Sequence, residues 1–302
     1  MTDAVGPLTA GLDADVGTGA WANASASAQN LCELWLADGD LARASAVADD
    51  AVGYAEQADD PFLRMGSLAY RGAVRFRLGP HTGAVEAFAL ANHWHHQGQP
   101  DERWMYSLRG FQECEVAAAE VAFAAWQHFH DGRTPELVAV AGGLIERASH
   151  TRDYARRYGS LLDVGLDSVT FTRARLWTAI LAASALDSGD ADQAVTVLRQ
   201  ASNQGYLAVG LLARAHVRHH IGDLDGARAA LDEAAEIAGR GPMRLHLCDT
   251  VLLRAHLFHD HHPYVWHDPT TDLDEVQRLI DATGYRYRQP FLDHTRTLVS
   301  RR

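Results

Sequence analysis

The sequence predicts an all-α chain of about six helical pairs closed by a C-terminal capping helix. Three observations carry this reading. A Gly-containing turn followed by alanines recurs four times. Amphipathic spacing with a helical period fills the stretches between the turns. No region is rich in strand-like alternation.

The four turns are GDLARA (39–44), GPHTGA (79–84), GDADQA (189–194) and GDLDGA (222–227). Each places an alanine five residues after its glycine and another seven residues later, at 51, 91, 201 and 234. Glycine accepts the left-handed backbone that ends a helix. Asp40, Asp190 and Asp223 can cap the following helix or favour its positive end. Two small residues two turns apart let the second helix approach its partner and the next unit. Residues 68–95 align with 211–238, so that Arg71 falls on Arg214, Val74 on Val217 and Arg75 on Arg218.

The turn signature fades between 79 and 189, but helical periodicity continues. Residues 102–130 and 136–158 read as one degenerate pair, and 160–187 as the first helix of the next. Residues 244–260 repeat the 211–220 pattern, with Arg254-Ala255-His256 matching Arg214-Ala215-His216. Residues 270–283 supply the partner helix and 287–300 the cap. Residues 1–20 read as a flexible N-terminal segment and 21–302 as a single repeat domain.

The chain has 302 residues, 27 basic and 39 acidic side chains, and a formal charge of −12. That balance argues against a general nucleic-acid or anionic-membrane binder. Seventeen histidines stand outside the count, and protonation near pH 6 would reduce the negative charge. Three widely spaced cysteines, with no CxxC, argue for reduced thiols and a cytoplasmic setting. The longest apolar run, LWTAILAASAL (176–186), is too short for a bilayer and reads as buried helix.

The turn–alanine pattern resembles the tetratricopeptide repeat, whose usual period is about 34 residues. Glycine spacings of 40 (39 to 79) and 33 (189 to 222) bracket that period. The resemblance implies a right-handed superhelical solenoid with a concave ligand groove. The runs RMGSLAYRGAV, QPDERWMYSLRGF, LLDVGLDSVTFTRARL, YLAVGLLARAHVRHHIGDLDGARAALDEAAEIAGRGPMRLHLCD and LIDATGYRYRQPFL also resemble the repeat (sensor) region of bacterial nucleotide-switch signalling ATPases. In those proteins the repeats serve as sensor and scaffold beside an ATPase module. No GxxxxGK[ST] occurs in this chain, so a phosphate-loop nucleotide site is not expected.

His216, His219 and His220 crowd one end of a predicted helix. At about 100° per residue, His220 lies about 40° from His216 and His219 about 60° to the other side, so all three share a face. The resemblance places such positions on the groove wall. Counterparts in neighbouring units are Arg77, Asp187, His256, His259 and Asp260, with Asp249 a few turns earlier. These nine residues form the expected ligand groove. Three readings compete: solvated helix ends complementing the negative pole, a groove binding a polar or acidic peptide, and a metal centre. For the last, His216, His220, His256, His259 and Asp260 would hold a divalent transition metal. No tight motif such as HExxH supports it.

Other polar groups carry plainer expectations. Segment 256–268 concentrates five histidines where helix gives way to loop. Glu113, Glu115 and Glu120, and Asp163 with Asp167 at i, i+4, read as surface or interhelical contacts, since no Glu-x-x-His accompanies them. Cys114 reads as a buried, inert thiol. Met65, Trp104, Met105, Phe111, Trp126 and Trp177 read as core. The function expected is a signalling-type scaffold or sensor that binds a protein or peptide segment, without catalysis or cofactor. The alternative is an enzyme, metal-dependent or small-molecule-converting, built on the same repeats. A homodimer is left open.

Overall fold

The computed structural model describes residues 2–79, 81–128, 132–241 and 243–301, and every regular element among them is helical. The order is α1 (Thr2–Thr18), α2 (Trp21–Asp38), α3 (Leu41–Ala58), α4 (Pro61–Leu78), α5 (Thr82–Gly98), α6 (Ser107–Ala117), α7 (Ala119–Trp126), α8 (Thr134–Tyr158), α9 (Leu161–Ala182) and α10 (Gly189–Gln200). It continues with α11 (Gln204–His220), α12 (Leu224–Arg240), α13 (Arg244–Phe258), α14 (Pro269–Thr283), a 3₁₀ turn (Arg286–Arg288) and α15 (Gln289–Ser300). None of these helices is long and apolar enough to cross a membrane. Most of residues 1–20, read as a flexible N-terminal segment, is helical, as α1.

The chain divides into two compact units, where one domain over 21–302 was expected. The first comprises residues 1–105 and 281–287, the second 106–280 and 288–302. Within each, helices pack on their neighbours in sequence, as in α2–α3–α4–α5 and α8–α9–α10–α11–α12–α13. Alternate helices also touch: α2 with α4 in the first unit, α9 with α11 and α11 with α13 in the second.

Local chemistry explains the turns. Gly39 closes α2 in the left-handed conformation at φ 79°, ψ 21°, and Gly222 follows α11 at φ 85°. Asp40 accepts a hydrogen bond from the Arg43 amide at 3.1 Å, and Asp223 from the Gly226 amide at 2.9 Å. Each such cap contributes about 1 kcal/mol. The turn at 189 departs from the expectation. Here Ala183 takes the left-handed position at φ 50°, a loop follows, and Gly189 starts α10 instead of ending α9. Asp190 consequently sits inside the first turn of α10 and pairs with Arg175 rather than capping. In the second turn Pro80 lies outside the described residues.

Seven of the eight repeat alanines are fully buried: 44, 51, 84, 91, 194, 227 and 234. Ala201 is only partly buried, because α10 stops at Gln200. The matched arginines are interhelical ties. Arg71 and Arg75 of α4 face Asp49 of α3, Arg218 of α11 reaches Asp192 of α10 at 2.7 Å, and Arg254 of α13 forks onto Asp272 of α14. In the first unit a buried polar knot joins α2 to α4. The Ser25 and Ser67 hydroxyls lie 3.1 Å apart, and the Gln29 amide donates to Ser67 at 3.0 Å.

The expected helix over 102–130 is broken. Residues 102–106 are irregular, and Ala118 separates α6 from α7; residues 129 and 130 lie outside the described residues. In the second unit, Leu198 of α10 wedges between glycines of two first helices. A Cβ at Gly165 would lie 2.5 Å from the Leu198 side chain, and one at Gly210 2.7 Å. Gly165→Val is therefore expected to overpack this junction and cost about 1–3 kcal/mol in a denaturation series. Unchanged stability would show that α9 and α10 are free to part.

Candidate functional site

The imidazoles of α11 and α13 gather in the second unit, as their shared helical face requires. His256 is buried and stacks on the Trp126 indole of α7, with ring centroids 3.8 Å apart and planes 18° from parallel. The same indole meets the half-buried His216 edge-on at 6.4 Å. Trp126 Nε1 donates to the Thr295 hydroxyl of α15 at 3.3 Å, and that oxygen lies 3.3 Å from His256 Nδ1. Phe291 packs on Trp126 at 5.2 Å, and His294 lies 6.3 Å from His256. Helices α7 and α15 thus cover the imidazole faces of α11 and α13.

His259 closes α13, with Nδ1 2.7 Å from the His256 carbonyl oxygen and its ring 6.4 Å from that of His256. His219 sits against Phe258 at 5.3 Å and His261 at 5.9 Å. Its Nε2 is buried and has no hydrogen-bond partner among the described residues. His220 is exposed.

Burial dominates the electrostatics. It pushes His216 down to about 3, helped by His219, His128, His220 and Arg173. It also lowers His256 well below the ordinary imidazole value, with His216, His128, His259 and His294 acting in the same sense. His219, His220 and His294 are lowered as well, by desolvation first. The cluster is accordingly neutral at pH 7. His216 and His256 therefore stay neutral at pH 6 as well, so the charge change expected there from composition does not extend to this pair. Neutral imidazoles offer one donor and one acceptor each.

The other expected groove residues are placed elsewhere. Arg77 lies on α4 in the first unit and donates to the Ala73 carbonyl at 2.9 Å. Asp187 is exposed in the α9–α10 loop, accepting from the Gly189 amide at 2.8 Å and facing Arg175. Asp249 is bound to Arg288 at 2.6 Å. Asp260 is exposed, 3.0 Å from His261 Nδ1. For the metal reading, no three His, Cys, Asp or Glu side chains converge on one point among the described residues. His256 spends its ring on stacking and on Thr295 instead.

Trp126, Phe291, His294, Thr295 and the flanking His128 were absent from the expected groove. Trp126 and Thr295 are 169 residues apart, so no local spacing joins them. Trp126 had been read as core, which its burial supports while leaving its partner unstated.

A second polar centre lies where α6, α8 and α9 meet. Glu113 of α6 binds Arg147 of α8 at 2.6 Å, and Glu115 faces Arg173 of α9 at 3.4 Å, so both are interhelical contacts as expected. Asp163 completes a capping box with Ser160. Asp167, one turn later, is buried with one carboxylate oxygen unbonded among the described residues. Burial raises it from 3.8 to about 7, against the Thr151 hydroxyl, Arg147 and Arg152, with Asp163 adding to the rise. Cys114 is buried, and burial pushes its thiol up to about 12, the environment of an unreactive cysteine.

Fold and site together define an all-α protein of sequentially packed helices, carrying a neutral imidazole–aromatic cluster in its second unit. No protein-family model matches the chain, and no curated protein or solved structure matches it significantly.

Proposed function

We propose that this chain is a tetratricopeptide-like scaffold or sensor whose helical pairs wind as a right-handed superhelix. Its α11–α13 imidazole surface recognises a polar segment of a partner protein. One observation carries the reading. The adjoining helices α11 and α13 present neutral imidazoles beside one another, and His219 keeps a buried ring nitrogen without a partner among the described residues. Buried polar atoms ordinarily find partners, so this nitrogen is a place where a ligand group would be rewarded. Because the imidazoles are uncharged at pH 7, they favour mixed donor–acceptor groups, such as backbone amides or Ser and Asn side chains, over a purely acidic stretch.

The test compares wild type with His219→Ala/His220→Ala in affinity capture from the native cells, followed by titration of the purified partner. The expected result is a partner retained by wild type and lost by the variant, with the melting temperature little changed. Equal capture by both proteins would refute the assignment of this surface.

The cover provided by α7 and α15 favours a second reading, a closed chamber for a small molecule or a divalent transition metal in an enzyme. Elemental analysis of untagged protein discriminates: stoichiometric zinc, iron or copper would support the chamber, and metal-free, folded, partner-binding protein would support the scaffold.

A further inference from the structure

The imidazole surface is bordered by an exposed apolar step. Where α11 turns into α12, Ile221 is 40% exposed and Leu224, the first residue of α12, is 37% exposed. They stand on either side of Gly222 and Asp223 and follow the exposed His220. The end of α13 adjoins this turn, since His219 lies against Phe258 at 5.3 Å and His261 at 5.9 Å. Exposed apolar groups that stand together within a polar rim mark contact surfaces, which scattered ones do not. Here the rim includes the His219 ring nitrogen that is buried without a partner among the described residues.

Charge on this same surface selects the occupant. Asp225, next to Leu224, is exposed and has no cationic partner among the described residues. Asp260 is exposed and stands 3.0 Å from His261 Nδ1 rather than beside a guanidinium. The arginines at hand are already matched. Arg218 lies between Asp192 at 2.7 Å and Asp223 at 3.5 Å, and Arg228, one turn beyond Leu224, faces Asp232 at 3.7 Å. The C-terminal ends of α11 and α13 meet here and add their negative poles, while Asp223 caps the positive pole of α12. Burial lowers His219 and His220, so neither brings a positive charge at pH 7. Resting on the imidazole surface proposed above, we infer that its partner segment carries a large aliphatic side chain flanked by lysine or arginine. The aliphatic group covers Ile221 and Leu224, and the cations meet Asp225 and Asp260.

The experiment uses the full chain, labelled with ¹⁵N, titrated with three blocked pentapeptides: Lys-Lys-Leu-Lys-Lys, Lys-Lys-Ser-Lys-Lys and Glu-Glu-Leu-Glu-Glu. The expected result is saturable shifts of the His220, Ile221, Asp225 and Asp260 amides with the first peptide. The serine peptide should bind about fivefold or more weakly, and the acidic peptide should leave these amides in place. Asp225→Asn/Asp260→Asn, two changes at exposed positions, is expected to weaken binding of the first peptide about fivefold or more. The inference is overturned by the absence of saturable shifts at these amides, by equal response to the serine or acidic peptide, or by indifference to the double variant. It is equally overturned if the same amides shift with protein concentration alone, which would assign the surface to a second copy of the chain. Capture of the native partner separates this inference from the scaffold reading. A partner lost by His219→Ala/His220→Ala but retained by Asp225→Asn/Asp260→Asn overturns the basic–aliphatic segment alone, and a partner retained by both variants overturns the surface as a whole.

Discussion

Asp167→Asn is expected to stabilise the second unit at pH 8, by up to about 4 kcal/mol. A carboxyl moved from its ordinary 3.8 to about 7 is one whose ionised form the fold resists. Three pH decades at about 1.4 kcal/mol each set that upper limit. The cause is visible in the packing. Asp167 is 5% exposed, one of its oxygens is unbonded among the described residues, and the nearby guanidinium of Arg147 is already committed to Glu113 at 2.6 Å. Asparagine keeps the shape and removes the charge.

The sign of the pH dependence follows from proton counting. Between pH 3.8 and about 7 the folded protein holds a proton on Asp167 that the unfolded chain has released, so stability falls as pH rises through that window. The penalty is absent below 3.8 and complete above about 7. The advantage of Asp167→Asn is therefore expected to grow from pH 4 to pH 7 and then level off. Urea denaturation at pH 4, 6 and 8 measures it. A variant less stable than wild type at pH 8 would mean that attraction to Arg147 outweighs burial, and the raised value would be wrong in sign.

Asp167 also shows where sequence reading stops. Asp163 and Asp167 stand at i, i+4 on α9 and look equivalent in the sequence. One is half-buried in a capping box with Ser160 and reaches Ser107 at the start of α6, and the other is buried against Thr151 and Arg147 of α8. Features set by local chemistry were legible: the left-handed glycines at 39 and 222, the aspartate caps at 40 and 223, and the buried alanine pairs. The turn at 189 was misread because a glycine is not the only residue that can end a helix, and Ala183 does so here. The shared face of His216 and His219 followed from the helical period. What lies over it did not, because α7 and α15 arrive from distant parts of the chain. Asp187 and Asp249 matched groove positions by spacing, yet each finds an arginine first.

Trp126→Ala tests that cover. The indole is 8% exposed, stacked on His256, edged by His216 and Phe291, and hydrogen-bonded to Thr295. Truncating it removes a ring that touches α11, α13 and α15 together, and leaves a void that rigid helices fill poorly. The expected cost is on the order of 3–5 kcal/mol, read as faster amide exchange in α7, α13 and α15. Trp126→Phe keeps a ring on His256 and loses only the Nε1 bond, so its cost should be nearer 1 kcal/mol. A second readout separates cover from mere packing. The His256 value is low chiefly because water is excluded, so hydration in Trp126→Ala should bring it back up toward 6.5 in an NMR titration, whereas Trp126→Phe should leave it low. If His256 stays neutral to the same low pH without the indole, the ring is not what shields it, and the imidazole surface is sealed by α15 alone.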